Sequence, residues 1–119
     1  MTIHFYGIPN CDTVRKARAW LDANGHEYTF HDYKKEGADQ DRLRAWVQAV
    51  GWEKLLNRSG TAFRKLEPEQ KERLDSEKAI RLMVAQPSTI KRPVVECGDA
   101  CGGGVLVGFD AEAWGAKLG

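Results

Sequence analysis

The sequence predicts an α/β protein: a mixed four-stranded sheet carrying helices, with a helical insert between the second and third strands. Three observations predict it. Residues 2–7, TIHFYG, and 27–33, EYTFHDY, are rich in β-branched and aromatic side chains, and a stretch of helical period lies between them. Residues 34–86 carry helical signals and none for a strand. Two later strand-like runs, RPVVEC at 92–97 and GVLVGF at 104–109, flank a glycine-rich turn and precede a last helical segment.

In the first strand Ile3 and Phe5 share one face, and His4 and Tyr6 the other. Gly7 stops it, and Pro9-Asn10 make a turn. Val14, Ala17 and Leu21 recur at helical spacing, which gives a helix from about 12 to 24 that Asn24-Gly25 closes. Residues 27–33 form the second strand. The insert, assigned to 33–90 of one domain spanning 1–119, begins with an apolar stripe of Leu43, Trp46, Val47 and Val50, ended by Gly51. Leu55-Leu56 suggest a short turn, and LEPEQKERL at 66–74 a polar helix. Residues 75–87 start on Asp75 or Ser76 as cap, bury Ile80, Met83 and Val84, and stop before Pro87. The hairpin follows, and then a helix over 110–118 with Ala111, Trp114 and Leu118 on one side. The β-α-β start needs a parallel crossover and the end supplies an antiparallel hairpin, which together make the thioredoxin-type arrangement.

Length and composition fit an ordinary globular chain: 119 residues, 42% hydrophobic and 29% charged. Eighteen basic against 17 acidic residues, a net charge of +1, argue against a sequence-independent grip on nucleic acid. No leader peptide and no run near the ~18 apolar residues of a membrane span are evident. Three cysteines, at 11, 97 and 101, do not make a disulfide framework, and a reducing cytoplasm is the expected setting. Nothing requires an oligomer, so a monomer is expected.

Cys11 is the chemical candidate. It stands where a strand ends and a helix begins, facing free backbone N–H groups and the positive end of the helix dipole. Both favour the thiolate, which is the nucleophile. Asp12-Thr13 supply the expected cap. Asp12 opposes a second negative charge, and Arg15 and Lys16 offset it. The alternative is a small buried cysteine filling the turn. Position 14, where a dithiol motif would place its second sulfur, is Val14. Arg92-Pro93 adds a proline at a strand start, in the one peptide bond type that is readily cis, with an arginine able to support a thiolate. The alternative there is a surface charge and an edge-strand stop.

The segments FYGIPNCDTVRKARAWL, IKRPVV and VGFDAEAW, in that order and across nearly the whole chain, resemble the ArsC-like branch of the thioredoxin superfamily. That branch holds glutaredoxin-coupled arsenate reductases, Spx regulators and the small YffB proteins, and the single cysteine without a partner at 14 is most like YffB. The resemblance implies a monothiol oxidoreductase with Cys11 as nucleophile and Arg92 beside it. Asn10, Arg58 and Pro93 are the implied substrate-binding residues. Arg58 in LLNRSG is one position off the arsenate reductases' arginine, where this chain has Asn57. Their third arginine, before the last helix, is absent from VLVGFDAE.

The implied co-substrate is glutathione, with glutaredoxin as a second partner and a small-molecule or protein disulfide as substrate. No bound cofactor, metal, nucleic acid or membrane is implied. Lys34 and Lys35 read as solvated charges. The alternative is a non-catalytic, Spx-like module binding a partner such as RNA polymerase, without that group's second cysteine.

Cys97 and Cys101 are spaced as C-x₃-C across the hairpin turn. A half metal site, a disulfide or a resolving role for Cys11 are all open, and an exposed, oxidisable turn is the default. Four residues of strand put that turn ~13 Å from Pro93. His4, His26 and His31 read as structural or surface histidines. Trp20, Trp46, Trp52 and Trp114 read as packing residues.

Overall fold

The computed structural model describes residues 3–9, 11–98 and 104–118, apart from the side chain of Lys34. Asn10 and Cys101 lie outside the described residues. β1 (Ile3–Gly7), α1 (Asp12–Ala23) and β2 (Tyr28–Asp32) form the expected β-α-β unit, with β1 and β2 parallel. β3 (Val94–Gly98) pairs antiparallel with β1 and with β4 (Gly104–Val107), giving the order β2-β1-β3-β4. The mixed four-stranded sheet and the helical stretch between its second and third strands are those the sequence predicts. The chain divides into two compact units, Met1–Glu36 with Arg92–Gly119, and Gly37–Lys91.

The sheet unit follows from side-chain alternation. Ile3 and Phe5 face Val14, Ala17 and Leu21 of α1, with Val95, Cys97 and Trp114 completing one buried cluster. Val14, Ala17 and Leu21 are fully buried, each on the same helical face. An aliphatic side chain of Val or Leu size buried in this way contributes about 1.5–3 kcal/mol. Asn24 caps the helix C-terminus, and Gly25 at φ +73° turns the chain toward β2. The last helix, α8 (Ala111–Leu118), buries Trp114 and leaves Ala111 exposed.

The other sheet face is polar and connected. His4 Nδ1 and His31 Nε2 are 2.9 Å apart, at hydrogen-bonding distance. His31 Nδ1 meets Glu36 Oε1 at 3.1 Å, and Glu36 Oε2 accepts the Asp32 N–H at 3.1 Å. Two strands and α2 (Tyr33–Glu36) are thereby joined. Tyr6 stacks on His31 and donates its O–H to Glu96 at 3.2 Å. The histidines are structural, as read, but their partnership spans 27 residues and no local spacing announces it.

Three sequence expectations are corrected. Cys97 is 1% exposed, inside the core rather than in an open turn, because β3 runs through it and its alternation from Val95 turns it inward. It is also disulfide-bonded, which leaves Cys11 as the free thiol among the described residues. The polar helix over 66–74 shrinks to α6 (Pro68–Lys71): Pro68 opens it, and Arg73 at φ 51° lies in the left-handed region. Val84 is only half-buried, and Ala79 and Leu82 join Ile80 and Met83 as the buried positions.

The second unit is mainly helical. α3 (Gln40–Val50) packs on α7 (Ser76–Ala85), and Arg44 pairs with Glu77 across them. Asp39 and Asp75 cap the two helices, accepting from Arg42 N–H and Lys78 N–H. α4 (Trp52–Leu55) and α5 (Thr61–Arg64) are single turns. Leu56 bridges Ile90, and Lys91 N–H donates to Leu55 carbonyl at 2.7 Å, so the chain leaving this unit is tied down just before Arg92.

Two stability outcomes follow. Asp75→Ala should cost about 1 kcal/mol in chemical denaturation, through loss of the α7 cap. A Cβ on Gly7 would stand 2.9 Å from Val14 Cγ2. Gly7→Ala should therefore cost about 1–3 kcal/mol, part of it recovered in Gly7→Ala/Val14→Ala.

Candidate active site

The site begins with the close approach of β1 and α1. Gly7 ends β1 against Val14, and only a residue without a Cβ lets the first turn of α1 sit there undistorted. That approach sets the position of Cys11. Its backbone is extended, φ −128° and ψ 128°, and its carbonyl accepts the Arg15 N–H at 2.9 Å. Cys11 itself is thus the N-cap residue, which corrects the expectation that Asp12 or Thr13 caps the helix. Asp12 is the first helical residue, where a carboxylate suits the dipole. Its side chain is 86% exposed and pairs with Arg15 at 3.5 Å, so its charge is turned outward and partly balanced.

The Cys11 sulfur is half-buried. Burial is the largest single influence on it and favours the neutral thiol. Against burial stand the Val14 N–H, a hydrogen bond from Arg92, the Thr13 N–H and the charge of Arg92. Together they prevail, and the thiol titrates below its ordinary value of 9.0. As a thiol, Cys11 closes no side-chain capping bond, so the amides act chiefly on the thiolate.

Arg92 arrives from the far end of the sequence. The Arg92–Pro93 peptide bond is cis, and Pro93 is buried at the entry to β3. The Pro93 carbonyl accepts the Gly108 N–H at 2.8 Å, one step beyond the Val94–Val107 pair. Arg92, at the entry to β3, is among the groups that act on the Cys11 sulfur.

Arg58 belongs to the helical unit, where its guanidinium lies 5.5 Å from the Trp52 ring centre. Its neighbour Asn57 is committed to the loop. Asn57 N–H donates to Thr89 carbonyl at 2.8 Å, Asn57 Oδ1 accepts the Ser59 hydroxyl at 3.2 Å, and Asn57 carbonyl accepts the Gly60 N–H at 3.3 Å. Lys35 is exposed. Among the described residues no group of three His, Cys, Asp or Glu could hold a metal ion, and no helix is long and apolar enough to cross a membrane.

The free N–H groups expected behind Cys11 are those of Thr13 and Val14. One contact beside the site has no such local signature. Trp114 reads from sequence as a packing residue, yet its indole N–H donates to Gly108 carbonyl at 3.2 Å. A buried tryptophan's need for a hydrogen-bond partner was the available signal.

With this geometry in place, comparison with known proteins is consistent. The model of the ArsC family matches residues 6–117. The chain is similar to the solved structure of a YffB protein, 53% identical over 98% of this chain and 99% of that one, with a TM-score of 0.92. It is also similar to an arsenate reductase (ArsC) related protein from Brucella melitensis, 49% identical over 98% and 93% of the two chains, TM-score 0.75. An uncharacterized protein of Haemophilus influenzae is 36% identical over 98% of both.

The thiol's titration is directly measurable. Rates of alkylation against pH should give a Cys11 midpoint below 9.0, moving up in Arg92→Ala. The same shift sets a stability window. Between the folded and unfolded values the unfolded chain binds more protons, so stability relative to Cys11→Ser rises with pH. It is fully present above about 9.0 and is lost as pH falls through the folded value. Denaturant titrations of both proteins over about pH 6 to 10 check the sign.

Proposed function

The chain belongs to the ArsC family, and from that premise we propose that it is a monothiol oxidoreductase that uses glutathione. The observation that carries the reading is the Cys11 sulfur at the N-cap of α1, with two amides and Arg92 favouring its charged form. A thiolate so placed is a nucleophile and, once disulfide-bonded, an accessible electrophile.

In the reaction, Cys11 thiolate attacks the glutathione sulfur of a substrate–glutathione mixed disulfide. A Cys11–glutathione disulfide forms, and the substrate leaves as a thiolate. A second glutathione, as thiolate, attacks the bound glutathione sulfur, gives oxidised glutathione and returns Cys11 as thiolate. The proton lost by that glutathione ends on the released substrate thiol, and its two electrons have reduced the substrate. A glutaredoxin thiol can take the place of the second glutathione. Val14, buried and apolar, offers no internal sulfur for the resolving step. External resolution suits a reducing, glutathione-rich compartment, the cytoplasm.

In this reading Arg92 stabilises the thiolate, and Pro93, Asn10 and Arg58 contribute to substrate binding. Arsenate is the weaker substrate. The segment before α8 presents Gly108 and Phe109, with Phe109 packed edge-on to Trp114 at 4.9 Å and no cation for an oxyanion.

Turnover with a glutathionylated peptide, glutathione and glutathione reductase tests the reading. Cys11→Ser should abolish it, and Arg92→Ala should lower it roughly tenfold, the loss of one charge-assisted hydrogen bond. Arsenate, supplied with glutaredoxin, should turn over roughly ten- to hundredfold more slowly than the peptide. No turnover, together with a Cys11 midpoint at its ordinary value, would overturn the enzyme and leave a protein-binding module.

A further inference from the structure

Trp114 is 2% exposed and stands in the first turn of α8, far from Cys11 in sequence. A helix cap holds its backbone, and two aromatic contacts flank its ring. Asp110 caps α8, with Oδ1 accepting the Glu112 N–H at 3.0 Å, and Trp114 N–H donates to Asp110 carbonyl at 2.9 Å. Phe109 meets the indole edge-on, rings at 88° and 4.9 Å between centres. Trp20 of α1 does the same at 85° and 5.8 Å. The indole N–H of the ring so held donates to Gly108 carbonyl, 3.2 Å away.

Gly108 then passes the constraint on. Its φ of +75° suits glycine, and its own N–H donates to Pro93 carbonyl at 2.8 Å. Pro93 follows Arg92, the side chain that favours the charged form of the Cys11 sulfur. The indole N–H, the Gly108 peptide groups and the Pro93 carbonyl thus form a two-bond bracket from the last helix to the turn that carries Arg92. Trp20 closes the loop from the other side, since it lies on the same helix that Cys11 caps.

We propose that Trp114 is a positioning residue for Cys11: its indole N–H, through Gly108, fixes the Arg92–Pro93 turn so that Arg92 meets the sulfur. The inference rests on the reading of Cys11 as a working thiolate and adds a residue that touches neither substrate nor sulfur chemistry directly. A tryptophan that only filled the core would owe its effect to ring volume, whereas this role belongs to one N–H.

The experiment separates the two. Trp114→Phe keeps an aromatic ring and removes the N–H. Replacement of Trp114 by benzothienylalanine, with sulfur in place of the indole nitrogen, removes the N–H and keeps the shape, so the test survives if the phenylalanine variant unfolds. The readout is the pH profile of Cys11 alkylation, not turnover. Both variants should move the midpoint upward and slow alkylation at neutral pH about three- to tenfold, the scale of one net hydrogen bond. In an Arg92→Ala background neither should move it further. An unmoved midpoint in the benzothienylalanine protein overturns the proposal, and so does an equal shift with Arg92 already removed. A wild-type midpoint near 9.0 would remove the thiolate reading itself, and the proposal with it.

Discussion

The favouring of a negative charge on one sulfur, by backbone amides and an arginine without a second sulfur, is the constraint on which the site depends. Burial of Cys11 works against that charge. The amides of Val14 and Thr13 can oppose burial only if α1 starts immediately behind the sulfur, and α1 can start there only because Gly7 leaves room for Val14. Arg92 can contribute only if β3 enters the sheet beside β1, which the antiparallel β1–β3 pairing provides. Fold and chemistry therefore share residues: Val14 is at once a fully buried core side chain and the source of an N–H for the thiolate.

The electrostatic balance is local and asymmetric. Asp12, next to the sulfur in sequence, has its carboxylate out in solvent against Arg15, where the helix dipole and the cation both moderate it. Arg92, 81 positions away by residue number, acts on the sulfur by both hydrogen bond and charge. Sequence proximity overstates the first and hides the second. The same inversion holds on the other sheet face, where His4, His31 and Glu36 form one hydrogen-bonded chain although none is within four residues of the next.

The elements with strong period were legible. The alternation in β1, the Val14–Ala17–Leu21 face of α1, the Asp75 cap and the order of strands follow from the residues, because each rests on neighbours within a turn or a strand. The short pieces are not: α5 has no sequence signal and the polar run over 66–74 overstates α6, since single turns have no apolar stripe to reveal them. Cys97 falls in the expected strand, but the glycine-rich run after it suggests an exposed turn, whereas the inward face of β3 buries it.

By itself the sequence determined the class of the sheet, the placement of a lone cysteine at a strand-to-helix junction, and the absence of a sulfur at position 14 to pair with it. These are statements about local period and residue type. Only the tertiary structure decided that Cys11 and not Asp12 caps α1, that Arg92 acts on the sulfur's titration, that Arg92–Pro93 is cis, and that Trp114 is bonded through Gly108 to that turn. Each of these depends on distances between segments far apart in the chain. Such distances are set by how β3 and α8 pack on the β1–α1 unit, and no residue pattern encodes them alone.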